Sequence, residues 1–166
     1  MSRIIGRVVL GVSGSPENLH ALRHAVELAR HYDATLIAVN AQPLRGRRRG
    51  PGLSRRGRRR GGSGAVWQQA AALVVRGAFD DALGGLPPDV ECVLLAAPGD
   101  PGPALVAVAG RANDVLVLGS ARARRRRRTR VGRGDVAAYC LARGACSVLT
   151  VPPPPLAAVV RARARV

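Results

Sequence analysis

Apolar and polar positions fall along this chain in two kinds of block. Short β-branched apolar runs cover Ile4 to Val12, Ala34 to Val39, Val90 to Leu95, Val115 to Leu118 and Ser147 to Val151. Runs of this length without polar alternation predict strands covered on both faces. Between them lie stretches of helical character. The first runs from Pro16 to about His31, with Leu19, Leu22, Val26 and Ala29 recurring at helical spacing as its buried stripe. The second spans about Ala65 to Leu83, carries Val66, Ala70 and Leu73, and has a kink expected at Gly77. A short third helix is expected over Pro103 to Ala112, and a fourth starts at Gly134-Asp135 and passes through Tyr139 and Leu141. Strand and helix thus alternate throughout, which predicts an α/β fold with a parallel sheet, helices on both faces and right-handed crossovers.

The connections are of two sorts. Ser13-Gly14-Ser15-Pro16-Glu17 reads as a turn, an N-cap, a proline at the first helical position and an acid in the first turn. By contrast, Arg45 to Gly64 is Arg, Gly, Pro and Ser, with Leu53 as its only large apolar residue. A segment of that composition cannot bury enough surface to order itself, so a disordered loop over 45–64 is expected. The α/β domain is bounded at 1–152. A Pro- and Arg-rich tail over 153–166 follows, with Pro152 to Pro155 stopping the last strand.

Composition adds three constraints. At 166 residues the chain is one domain by length, and no apolar run reaches a membrane span. The N-terminus passes straight into a strand, so no signal peptide is read and a cytoplasmic location is expected. Cys92, Cys140 and Cys146 form no Cys-x-x-Cys pair and fit buried thiols in a reducing compartment. The net charge of +17 is local: nine arginines lie between Arg45 and Arg60 and eight between Arg122 and Arg133, while the other ten balance the ten acids. The chain has no lysine, which excludes chemistry through a lysine amine.

The stretch Val115 to Val151 joins a strand, Gly119-Ser120, an arginine-laden loop, Gly134-Asp135, a helix and a strand. Such an arrangement places backbone N–H groups where a phosphate can sit. Together with Val9-Leu10-Gly11-Val12-Ser13-Gly14-Ser15, Asp114 to Ser120, and the ending Gly134 through Tyr139 to Val151, the chain resembles the universal stress protein (UspA-like) family over most of Arg7 to Val151. The resemblance implies a doubly wound, five-stranded parallel sheet of the adenine nucleotide alpha hydrolase-like kind and frequent dimerisation. It also implies, in one branch, ATP binding at the carboxyl ends of the strands. It is not primarily a family of enzymes. The function it implies is a nucleotide-responsive binding module involved in stress response.

The family's ATP pattern is Gly, two residues, Gly, nine residues, then Gly and a Ser or Thr. Gly119 matches the first glycine and Arg122 replaces the second. Gly134 fits the third with a loop two residues longer, and Asp135 stands in the hydroxyl position. If Gly132 is taken instead, the spacing fits and Arg133 replaces the hydroxyl. The first-strand aspartate that typically contacts adenosine falls on Ser13, and the main-chain contact to adenine falls on Val39. The resemblance therefore implies a site of Val12, Ser13, Val39, Gly119, Ser120, Arg122, Gly134, Asp135 and Val136, for ATP with Mg²⁺. Arg122 gives up close backbone approach but offers a guanidinium. Asp135 repels a triphosphate unless Mg²⁺ or an arginine intervenes, and equally serves as an N-terminal helix charge.

Other chemistries compete. The arginine runs fit non-specific contact with nucleic acid or another polyanion, although no aromatic is interleaved for base stacking and a solvated, self-repelling loop also accounts for them. Trp67, Phe79, Tyr32 and Tyr139 all fall in expected helices. His20, His24, Glu27 and His31 share one helical face opposite the apolar stripe, so a solvated face is expected there and no metal site. Ser13 to Asn18 loosely resembles the pyrophosphate loop of ATP-dependent adenylating enzymes, but Ser15, Glu17 and Asn18 depart from Ser-Gly-Gly-x-Asp-Ser and capping explains the stretch. A response-regulator assignment fails for want of a lysine and an acidic cluster. No Ser-His-Asp elbow, Walker loop or metalloprotease signature is present. The partner expected is a second copy of the chain, with no membrane.

Overall fold

The computed structural model describes residues 4–42, 63–120 and 135–153. Five strands and four helices alternate: β1 (Arg7–Gly11), α1 (Pro16–Tyr32), β2 (Thr35–Gln42), α2 (Ser63–Leu83), β3 (Cys92–Pro98), α3 (Pro101–Val108), β4 (Asp114–Gly119), α4 (Val136–Arg143) and β5 (Ser147–Val151). All four strand pairings are parallel, in the order β3-β2-β1-β4-β5. The chain moves outward from β1 in one direction and then, from β4, in the other. That reversal lies between β1 and β4, where crevices form in open parallel sheets.

Two apolar layers enclose the sheet. On one face Leu10, Leu22, Val26, Leu36, Val75 and Phe79 form a cluster between the sheet and α1/α2, all fully buried. On the other, Val9, Val39, Leu105, Leu116 and Cys140 pack under α3/α4. A fully buried large apolar side chain contributes about 1.5–3 kcal/mol relative to exposure, so these layers carry most of the stabilisation.

Element boundaries differ from expectation where pairing decides them. Ile4 is 83% exposed and β1 begins only at Arg7. Strands β2 and β3 extend to Gln42 and Pro98, because Asn40, Ala41 and Gln42 pair with Ala96, Ala97 and Pro98. Helix α3 starts earlier, with Asp100 at its N-cap and Pro101 at the first position, and ends at Val108. Helix α2 includes Ser63 and Gly64, so the disordered loop expected over 45–64 is two residues too long at its end. Its remainder, like the tail beyond Pro153, lies outside the described residues.

The face of α2 is also not the one expected. Val66 and Leu73 are 67% and 69% exposed, and the buried stripe is Ala71, Val75, Ala78, Phe79 and Ala82. An Ala- and Val-rich helix has apolar residues on most sides, so its periodicity does not select a face. Packing against α1, β2 and β3 does, with Phe79 as the anchor. The helix continues unbroken through Gly77. In α1 the expected stripe holds: Leu22, Val26 and Ala29 are buried and Leu19 packs against them. The helix closes at Asp33, whose left-handed φ of 50° lets its N–H reach the Ala29 and Arg30 carbonyls.

Candidate functional site

The carboxyl ends of β1 and β4 lie side by side. The register pairs Leu10 with Val117, so Gly11 to Ser13 leave the sheet next to Leu118, Gly119 and Ser120. Gly11 is needed there: a Cβ would stand 3.0 Å from Leu118 and 3.1 Å from Leu105. Gly14 follows at φ 71°, a backbone conformation that turns the chain into α1 without side-chain strain. Ser15 occupies the N-cap position with extended backbone, as expected, but its hydroxyl makes no cap hydrogen bond. Instead it lies 3.0 Å from the Ser13 hydroxyl, forming an exposed pair of hydroxyls at the mouth of the β1–α1 turn.

Two asparagines outside the expected site hold this turn in place. Asn18 Nδ2 donates to the Gly11 carbonyl at 2.7 Å, and Asn40 Nδ2 donates to the Val12 carbonyl at 2.8 Å. Both side chains are buried, at 4% and 3% exposure. Because each nitrogen must face a carbonyl, the amide orientations are set, and both Oδ1 atoms are left without a protein partner. The signal was present in Val39-Asn40-Ala41, where one amide interrupts an apolar run. Only the fold shows that it reaches across to β1.

Several of the expected site residues are brought together. Val12 N–H donates to the Val39 carbonyl at 2.8 Å, joining the two nucleoside-side positions directly. Both residues are buried, so they offer backbone and a wall rather than exposed side chains. Ser13 is exposed, while Gly119 and Ser120 are half-buried at the same edge. The Ser120 N–H is already engaged by the Val151 carbonyl at 2.8 Å and is not a free phosphate donor. Arg122 and Gly134 lie outside the described residues.

Asp135 is the N-cap of α4. Its Oδ1 accepts from the Ala137 N–H at 3.1 Å, and Val136 is the first helical residue. The helix start therefore carries its own anion, placed where the sequence pattern expects a hydroxyl. A carboxylate there favours the dipole of the helix and opposes a second anion. Further along α4, Tyr139 packs against Gly102 of α3, where a Cβ would come within 2.8 Å of its ring.

The remaining chemistry is sparse. Burial raises the thiol pKa of Cys92, Cys140 and Cys146, which keeps all three protonated and poorly nucleophilic. Among the described residues no group of three or more His, Cys, Asp or Glu is arranged to hold a metal ion. No helix among them is long and apolar enough to cross a membrane.

Comparison with known proteins agrees with this fold. The model of the universal stress protein family matches residues 5–152. A universal stress protein solved in complex with cAMP is 25% identical, with a TM-score of 0.59, covering 90% of this chain and 98% of that one. A universal stress protein family member from Burkholderia pseudomallei is 21% identical, with a TM-score of 0.59 and coverages of 92% and 99%. One from Archaeoglobus fulgidus is 17% identical, with a TM-score of 0.54 and coverages of 88% and 97%. The last two share the fold. No curated protein matches the chain.

Proposed function

The chain belongs to the universal stress protein family, and from that premise we propose that it is a nucleotide-responsive binding module of the stress response, taking an adenine nucleotide at the carboxyl edge of its sheet. The observation that carries this is the convergence of Val12-Ser13 and Gly119-Ser120 at the one place where strand order reverses. A similar protein, 25% identical, was solved with cAMP. Val12, Ser13 and Val39 form the nucleoside side of the site. Gly119 and Gly134, with Arg122, form the phosphate side, and Val136 closes the start of α4.

A nucleotide carrying one phosphate suits this edge better than ATP. The Asp135 carboxylate already holds the Ala137 N–H, so a triphosphate needs Mg²⁺ or an arginine beside it. Calorimetric titration with cAMP, AMP, and ATP with and without Mg²⁺ tests this. The expected order is cAMP or AMP tighter than Mg-ATP, with metal-free ATP weakest, and Asp135→Ser narrowing the gap. Absence of binding by all of them overturns the proposal.

A second partner class has its own support. Strands β2 and β4 end at that same edge, and each leads into one of the two segments that hold seventeen arginines. Non-specific contact with nucleic acid or another polyanion follows, and its affinity should fall steeply with salt. Salt-insensitive or absent binding to DNA and RNA removes it. For assembly we propose a homodimer: β5 is an edge strand, and Leu141, Leu149 and Tyr139 near it are exposed. Sedimentation showing a monomer at high concentration would count against it.

A further inference from the structure

Helix α1 carries a feature unrelated to nucleotide binding. His20 and His24 are one turn apart, and their Nε2 atoms converge to 3.2 Å, with the rings edge to face at 4.6 Å between centroids. Two side chains at this spacing share a helix face, but nothing in the spacing forces their ring nitrogens to meet. Here they do, on a face where His20 is half-buried and His24 exposed. As neutral imidazoles, one donates an Nε2–H to the other's lone pair. With both protons on Nδ1, two Nε2 lone pairs 3.2 Å apart are available to one ion.

We propose that His20 and His24 form a two-nitrogen site for a divalent first-row transition-metal ion of the nickel, copper or zinc kind. Imidazole suits these ions, which prefer nitrogen over the oxygen ligands of Mg²⁺ and Ca²⁺. Metal–nitrogen bonds of about 2.0–2.1 Å at tetrahedral to square angles require nitrogens roughly 2.9–3.4 Å apart, and the observed separation falls inside that range. Two polar neighbours are engaged elsewhere. Arg23 turns away to donate its Nε–H to the Ala82 carbonyl at 3.0 Å, and Glu27 is held by Arg30 at 2.7 Å. Water completes the coordination, which makes this an accessory site of moderate affinity rather than a closed structural one.

The ion would tie the second turn of α1 to the third. Folded chain binds it as a chelate, whereas unfolded chain offers two separate imidazoles. An ion at about one hundred times its dissociation constant should then raise the melting midpoint by roughly 5 °C or more.

The test is calorimetry and thermal melting of the untagged full chain with Ni²⁺ alone as the probe. Wild type should bind one ion per chain and melt higher. His20→Gln and His24→Gln should each weaken binding by about tenfold or more, because the second bond of a chelate is intramolecular. His31→Gln, on the same helix but two turns away, should behave as wild type. Metal-free melting midpoints of the variants confirm that the fold survives. No binding by wild type, binding that persists in His24→Gln, or binding that depends on His31 would each overturn the proposal.

Discussion

The two edges of the sheet are built on different terms. At the amino edge, Arg7 and Asp114 face each other across the β1–β4 pair, with Nε to Oδ1 at 2.8 Å and Nη2 to Oδ2 at 2.5 Å. Arg7 also reaches the Val108 carbonyl, and the Arg111 N–H closes on Asp114 Oδ2 at 2.9 Å. Both Asp114 oxygens are thus partnered. Nearby, a cavity of about 180 Å³ is lined by Arg30, Asp89 and Glu91, and Arg30 Nε binds Asp89 at 2.5 Å across it. At the carboxyl edge two buried amides each keep an unpartnered oxygen, two serine hydroxyls meet only each other, and a helix start holds its own carboxylate. Polar groups at the first edge are spent on stability. At the second, two buried amide oxygens stay unpartnered and two hydroxyls are exposed, at the edge where parallel sheets place their sites.

The sharpest way to break this contrast is Asp114→Ala. It leaves the Arg7 guanidinium unpaired against the fold and should cost about 3 kcal/mol in urea unfolding, with nucleotide affinity unchanged. A parallel loss of affinity would show that the edges are not separable. The same pair predicts an acid dependence. Burial works to raise the Asp114 carboxyl, but the hydrogen bonds from Arg7 and Arg111 and the Arg7 charge outweigh it and hold its pKa below the ordinary value. Its stabilisation is therefore complete above the unfolded carboxylate pKa of about 3.9 and disappears as pH falls through the lower folded value. Unfolding midpoints of wild type and Asp114→Ala should converge below that range.

At the other edge effects on stability are smaller and effects on binding larger. Asn40→Ala strips the buried Val12 carbonyl of its donor and should cost roughly 1–2 kcal/mol, while loosening the turn that presents Ser13 and weakening cAMP binding. Asp135→Ser keeps an N-cap oxygen, so stability should move by no more than about 0.5 kcal/mol while Mg-ATP binds more tightly. Arg30→Ala, which breaks only exposed pairs with Asp89 and Glu27, should leave the melting midpoint unmoved at about 0.5 M salt.

Much of the fold was legible in order and type. β5 begins and ends where its apolar run does, and the stripe of α1 is buried as its spacing requires. The candidate site was legible in position more than in chemistry. Gly119, Ser13 and Asp135 occupy the ends of elements that the apolar pattern delimits. That Ser120 spends its N–H on Val151 depends on a neighbour distant in sequence, whereas the Asp135 cap is local and was legible as a helix N-terminal charge.

What the sequence by itself determined is the alternation of strand and helix, and hence a parallel sheet with helices on both faces. Apolar periodicity is a local property and needs no knowledge of partners. What only the tertiary structure decided is which side of α2 is buried and how Asn18 and Asn40 clamp the end of β1. Each is a contact between elements, and its geometry is set by how those elements pack.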